Sequence, residues 1–250
     1  MHPRKSLSYP QWVKLGKIDG FTFVGRDTVA VGCGCHIIFY AVDGTSENVY
    51  IANSKQRGDG VACLAGHRTA PLFAFAEKCL HPRILVFSYP AVEGPVSVLK
   101  GGTMGSYISM AFSEVEYLVT LSGVPQSSIM VWCWRTGVQL ACTDTGIGSP
   151  FQKLSCSLSS PTIICHIVRG KSTLRLWEIN VCAKLCCLTS QKVKLPEKTI
   201  PVDVCFTNDG ALFFVDDRGD VYQASDQSKF NTKSSEHEIF SILNSNSLLG

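Results

Sequence analysis

Two clusters of soft ligands are the first candidates for chemistry in this chain. Cys33-Gly-Cys35-His36 brings two thiols and an imidazole together, and Cys182-Ala-Lys-Leu-Cys186-Cys187 brings three thiols together. Thiolate and imidazole ligands of this kind suit a tetrahedral zinc ion. Neither cluster has the two-residue spacer that lets both cysteines of a knuckle reach one ion, and Cys186 and Cys187 point to opposite sides of a strand. No metal site is assigned. The glycines of Gly101-Gly-Thr-Met-Gly105 could cradle a phosphate, but a P-loop closes on Gly-Lys-Ser/Thr and opens a helix, and neither follows. The segment reads as a turn between two units. Asp216-Asp217 has the composition of an acid pair, but adjacent residues at a strand end diverge, so a solvated turn is the expectation. No serine sits in a Gly-x-Ser-x-Gly elbow. His36, His67, His81 and His166 fall one to a unit or loop with no common partner. His166, inside an apolar strand, reads as a hydrogen-bonded core histidine. With no polar groups converging on a pocket, the chain is not expected to be an enzyme, and no cofactor is expected.

What remains is the framework. The 250 residues are 45% hydrophobic and 17% charged, enough for one large β domain with a core, or for part of a larger one. The net charge of +3 is near balance and no Lys/Arg run exceeds two residues, so neither nucleic acid nor membrane is required as a partner. The first ten residues lack the apolar stretch of a signal peptide, and no run is long enough to span a bilayer. A reducing, cytoplasmic setting is the expectation. The 12 cysteines should then be free thiols. Those in apolar strand runs (Cys63, Cys133, Cys142, Cys156, Cys165 and Cys205) should act as small buried hydrophobes.

The dominant feature is a repeat. In Ser127-Ser-Ile-Met130-Val131-Trp132-Cys133-Trp134, Met130, Trp132 and Trp134 share one face of a strand, and Val131 and Cys133 the other. Apolar on both sides, the strand belongs between layers. Strands of the same shape place Phe39, Phe87, Trp132, Trp177 and Tyr222 at steps of about 45 to 48 residues. These five aromatics are the expected anchors of the repeat. Each is flanked by short strand patterns and turn residues, giving four strands per unit and no helical periodicity. The units read as 20–56, 58–100, 105–145, 150–196 and 199–243. A lead-in, 1–19, with Trp12 and Leu15 docking on the domain, comes first, and a tail, 244–250, comes last. In the first unit the glycines of 32–35 should break the second strand. In the fifth, a serine-rich loop, 225–236, should precede a fourth strand at 239–243.

Four-stranded units of this length, with the third strand ending in an aromatic, resemble WD40 propeller blades. Trp177-Glu178 stands where Trp-Asp would be, Trp132-Cys133 is a second degenerate copy, and Asp217-Arg-Gly-Asp220 is similar to the tight turn before the third strand. Gly66-His67 lies between the first two strands of its unit, so it is not the Gly-His of a regular blade. The His–Ser/Thr–Asp–Trp hydrogen-bond network of regular blades is therefore not carried over. Residues 58–180, with Tyr89-Pro90 after one third strand and Trp132-Cys-Trp134 in the next, are similar to the N-terminal propeller of the cilia- and flagella-associated WD-repeat proteins that tether an inner-arm dynein. The fold implied is all-β, a propeller of about five four-stranded antiparallel blades, with an incomplete ring as one outcome.

The resemblance also implies a non-catalytic scaffold in the cytoskeleton, at the axoneme of a cilium or flagellum, needed for its assembly and motility. The partners implied are proteins: inner-arm dynein or tether components and microtubule-associated proteins. Members of that group are far longer, so the chain reads as an N-terminal piece or short isoform. Uncovered faces on its first and last blades should then make it aggregate when isolated. Two other classes are a cytosolic adaptor such as a ubiquitin-ligase substrate receptor, for which the Trp-Asp-x-Arg box is missing, and a hydrolytic or metal-dependent propeller enzyme.

Overall fold

The computed structural model describes residues 20–44, 47–51, 60–114, 116–182, 185–224 and 239–243. Trp12, Leu15, the loop 225–236 and the tail 244–250 lie outside the described residues. The described residues hold twenty strands and no helix. They form five four-stranded antiparallel sheets, each built from strands consecutive in sequence. The first blade is β1 (Gly20–Val24), β2 (Thr28–Cys33), β3 (His36–Ala41) and β4 (Glu47–Ile51). The second is β5 (Val61–Gly66), β6 (Leu72–Glu77), β7 (Ile84–Ser88) and β8 (Ser97–Leu99). The third is β9 (Tyr107–Phe112), β10 (Tyr117–Ser122), β11 (Ser128–Cys133) and β12 (Val138–Asp144). The fourth is β13 (Gln152–Cys156), β14 (Ile163–Val168), β15 (Leu174–Cys182) and β16 (Leu185–Lys192). The fifth is β17 (Pro201–Phe206), β18 (Leu212–Asp216), β19 (Val221–Ala224) and β20 (Ile239–Leu243). The first strands β1, β5, β9, β13 and β17 pack in succession, so they form the inner wall and the blades radiate outward from it. The molecule is a five-bladed β-propeller.

Period-two alternation decides which side chain serves which interface. In β6, Phe73 and Phe75 turn toward the first blade, where they join Val24, Ala30, Ile37 and Phe39. Ala74 and Ala76 turn the other way, toward the third blade. Together with Cys63 and Ala65 they form a shallow face into which Tyr107, Phe112, Trp132 and Trp134 fit. Large against small lets the two sheets approach without voids. The third and fourth blades meet through Val119, Leu121 and Val131 against Leu154, Ile164 and Trp177. The fourth and fifth meet through Ile163, Cys165 and Leu176 against Phe206, Leu212 and Phe214. A fully buried aromatic or branched aliphatic side chain contributes about 1.5–3 kcal/mol, so these four interfaces dominate the stability of the fold.

Close backbone approach fixes the seam between the first two blades. Gly66 N–H donates to Thr22 Oγ1 at 2.9 Å. A Cβ on Gly66 would stand 1.9 Å from the Phe23 carbonyl oxygen, so only glycine fits there. One sequence expectation needs correcting here. Gly32 does not break the second strand; it pairs with Gly20 on one side and Ile37 on the other, and β2 runs through to Cys33. An interior glycine is tolerated because both neighbouring strands supply its backbone partners.

Candidate functional site

The residues with chemical potential are held in the turns and seams of the blades. At the turn between β6 and β7, the buried Glu77 carboxylate accepts from Arg83 Nε at 2.9 Å, Nη2 at 2.5 Å and the Arg83 backbone N–H at 3.1 Å. The equivalent turn of the fifth blade has the same device. Asp216 accepts from the Arg218 guanidinium at 3.0 and 3.1 Å and from the Arg218 and Asp220 backbone N–H groups at 2.9 Å. Burial alone would raise the Asp216 pKa, but these donors more than offset it and hold the carboxyl below its ordinary range. The expectation of a solvated turn holds for Asp217 and is corrected for Asp216. Asp217 is exposed, but Asp216 is 1% exposed and its lone pairs are taken by turn donors. A carboxylate so engaged clamps a turn and is not free to act as a general base.

The histidines serve structure as well. His67 Nδ1 accepts from the Ala70 backbone N–H at 3.1 Å and closes the turn after β5. Thr69 beside it donates to Glu114 Oε2 at 2.8 Å, joining the second and third blades. Burial lowers the His67 pKa. His166 is fully buried in β14, where its Nε2 meets Gln152 Oε1 at 2.8 Å. The Gln152 amide nitrogen donates to the carbonyls of Ile147 and Ser149, so Nε2 carries the proton in this pair. Nδ1 has no partner among the described residues, so the histidine is half satisfied there. Burial, with Arg175 nearby, pushes its pKa down to about 4. Among the described residues, neither His36 nor His81 shares a partner with His67 or His166; the Cys35 thiol lies 3.5 Å from His36 Nδ1.

Cys33, Cys35, Cys133, Cys142, Cys156, Cys165, Cys182, Cys186, Cys187 and Cys205 are free thiols. Cys63, Cys156 and Cys165 are buried, and burial pushes the Cys156 thiol up to about 12. Cys133 is half-buried, but Cys142 and Cys205 are exposed, against expectation. Cys142 lies on β12, the outermost strand of its blade, and Cys205 lies on the side of β17 turned away from the fourth blade. An apolar strand composition does not reveal either position. Among the described residues no three ligating side chains gather around a point that could hold a metal ion.

The five aromatics of the repeat all lie on third strands. Phe39, Phe87, Trp132, Trp177 and Tyr222 are buried, each at an interface between blades. Trp132 Nε1 donates to Thr120 Oγ1 at 3.0 Å, both fully inside. This bond ties the second strand of the third blade to its third strand. Thr120 sits in an apolar run, and only the pairing of β10 with β11 brings it to the indole. Trp177 Nε1, by contrast, has no partner among the described residues.

What the molecule presents outward is a cavity and two rims. The inner strands enclose a cavity of about 1990 Å³, with Phe21 and Phe23 of the first blade and Phe213 and Val215 of the fifth in its wall. Arg68, in the turn after β5, donates to the Phe206 carbonyl at 2.8 Å and ties the second blade to the fifth. One rim carries the connections between blades and the turns joining second to third strands. The other carries the turns joining first to second and third to fourth strands. Such loops, set on a rigid framework, are the usual place for binding residues.

No family model matches the chain. It is 24% identical over 195 residues, 78% of its length, to cilia- and flagella-associated protein 43 of Xenopus laevis. It is 28% identical over 88 residues, 35% of its length, to cilia- and flagella-associated protein 44 of Mus musculus. The matches span 12% and 5% of those two relatives. Among solved structures, one chain in the crystal structure of the mitotic checkpoint complex superimposes with a TM-score of 0.47 at 15% identity, covering 77% of this chain and 69% of that one. In sequence, this chain is similar to cilia- and flagella-associated protein 43 over most of its length, and its described residues fold as a five-bladed β-propeller.

Proposed function

We propose that this chain is a non-catalytic propeller scaffold of the cilium or flagellum, placed at the axoneme as part of a dynein-tether assembly and needed for motility. The observation that carries the reading is the 195-residue similarity to a cilia- and flagella-associated protein, spread over most of the propeller. The structure is consistent with it. Its buried acids and histidines are engaged in turns and seams, and its outward features are loops, which on a propeller hold partners. The partners proposed are other proteins: inner-arm dynein or tether components and microtubule-associated proteins. Tagged protein expressed in ciliated cells, with proximity labelling of its neighbours, tests this directly. Signal along the axoneme with axonemal neighbours is expected, together with altered beating when the protein is removed. A diffuse cytosolic signal with no axonemal neighbours would overturn the ciliary placement.

A further inference from the structure

The rim that carries the connections between blades is unlike a solvated loop surface across the second, third and fourth blades. Five loops make up this arc: 78–83, 101–106, 123–127, 145–151 and 169–173. Backbone hydrogen bonds join them edge to edge. His81 N–H donates to Met104 O at 3.1 Å, Gly123 N–H to Ser106 O at 2.7 Å, Thr145 N–H to Ser127 O at 3.0 Å and Arg169 N–H to Phe151 O at 2.8 Å. The arc is therefore one continuous surface.

Its composition has two unusual features. Large apolar side chains stand in water on four of the five loops: Leu80 is 79% exposed, Met104 62%, Phe151 60% and Val124 48%. An apolar patch of that kind on a folded surface marks an interaction site. The five loops also contain no Asp or Glu, while Lys78, Arg169 and Lys171 are exposed on them; at their edges the exposed Lys100 is offset by the exposed Asp144, whose carboxylate accepts from the Gly146 N–H. Arg83 is matched by Glu77 and Lys153 by Asp203, so those two pairs leave the excess unchanged. On the opposite rim of the same blades the turns carry Glu93, Glu114 and Glu116 beside Arg68 and Arg135. The asymmetry is thus a property of one rim, hidden in a chain whose total charge is only +3.

We propose that this acid-free arc docks a polypeptide segment in which acidic residues alternate with large apolar ones. Charge complementarity selects the acidic partner and steers its approach, while the apolar side chains supply the anchoring area. Lys78, Phe151 and Arg169 also line the wall of the central cavity. A chain segment can enter that concave mouth and reach them, and a flat bilayer cannot. The proposal rests on the scaffold reading and deepens it by naming the surface and the chemistry of the partner.

The test is a random 16-residue peptide library displayed on phage and selected against the full chain. The enriched peptides are then measured singly by fluorescence anisotropy. Enrichment of acidic peptides rich in Phe, Leu or Met is expected. The triple variant Lys100→Glu, Arg169→Glu, Lys171→Glu should weaken them at least about tenfold, and Met104→Ser with Phe151→Ser by a similar factor. Glu114→Lys with Glu116→Lys, on the other rim, should leave binding unchanged. Circular dichroism confirms that each variant is folded, and the two exposed-residue sets are independent should one fail. Failure to enrich any peptide, enrichment of neutral or basic peptides, or indifference to the arc variants overturns the proposal. So would binding of the arc to vesicles containing phosphatidylserine, or sedimentation showing that a second copy of this chain occupies it. If tagged protein stays out of cilia while acidic peptides still bind the arc, the ciliary placement falls and the docking surface stands.

Discussion

At the scale of single residues, burial decides what each group can do. His166 is the clearest case. In the unfolded chain its imidazole has the ordinary pKa of 6.5, and in the folded chain about 4. Above the higher value both states hold it neutral and stability is complete. As pH falls through 6.5 toward 4 the unfolded chain takes up a proton that the folded chain refuses, so stability drops, by about 3 kcal/mol over the whole window. His67, also depressed by burial, adds a slope of the same sign. His166→Gln should flatten the profile between pH 6.5 and 4 relative to the unaltered chain, read from denaturant melts at each pH. The thiols divide by burial as well. A maleimide should label Cys142, Cys182, Cys187 and Cys205 in the folded chain and leave Cys63, Cys156 and Cys165 unlabelled until denaturant is added. The position of His166 in an apolar strand was readable in the sequence. Its Gln152 partner was not, since Gln152 lies 14 residues away on the neighbouring strand β13 and only the sheet brings it to the imidazole.

At the scale of elements, the third strand is where sequence and structure meet most closely. Trp132 and Trp177 occupy equivalent places in β11 and β15, yet one indole N–H is bonded and the other is not. Either residue changed to Ala should cost roughly 3–5 kcal/mol in denaturant melts, the range for a large aromatic lost from a core. The Phe substitutions should separate them. Trp132→Phe strands the buried Thr120 hydroxyl, and should cost about 1–3 kcal/mol more than Trp177→Phe, which strands nothing. Strand existence and order were legible because aromatic and β-branched residues recur at a fixed step. The exposure of Cys142 was not, because an outermost strand has the same composition as an inner one. The clamp at Asp216 was equally hidden: Asp-Asp-Arg-Gly-Asp reads as a polar turn, and only the folded turn points Arg218 back at Asp216.

At the scale of the whole molecule, apolar surface is distributed unevenly. The face of the first blade turned away from the second carries Phe21 and Phe23, 64% and 46% exposed, with their rings in edge contact at 5.9 Å. Replacing both with Thr keeps strand propensity and should change stability by no more than about 0.5 kcal/mol, since neither is core. Self-association measured by sedimentation velocity should nonetheless fall. Unchanged self-association would show that other surfaces drive it.

The bond from Arg68 to Phe206 spans 138 residues, whereas in the second and third blades no two successive strands are separated by more than a short loop. Closing a short hairpin sacrifices little chain entropy, so each blade can assemble on its own turns and then stack on a neighbour. The Arg68 guanidinium meets its carbonyl only once the second to fifth blades are all in place. That bond belongs to the last step of folding and the first of unfolding. Arg68→Ala should therefore leave the refolding rate unchanged and speed unfolding, a signature read directly from the two arms of a chevron plot.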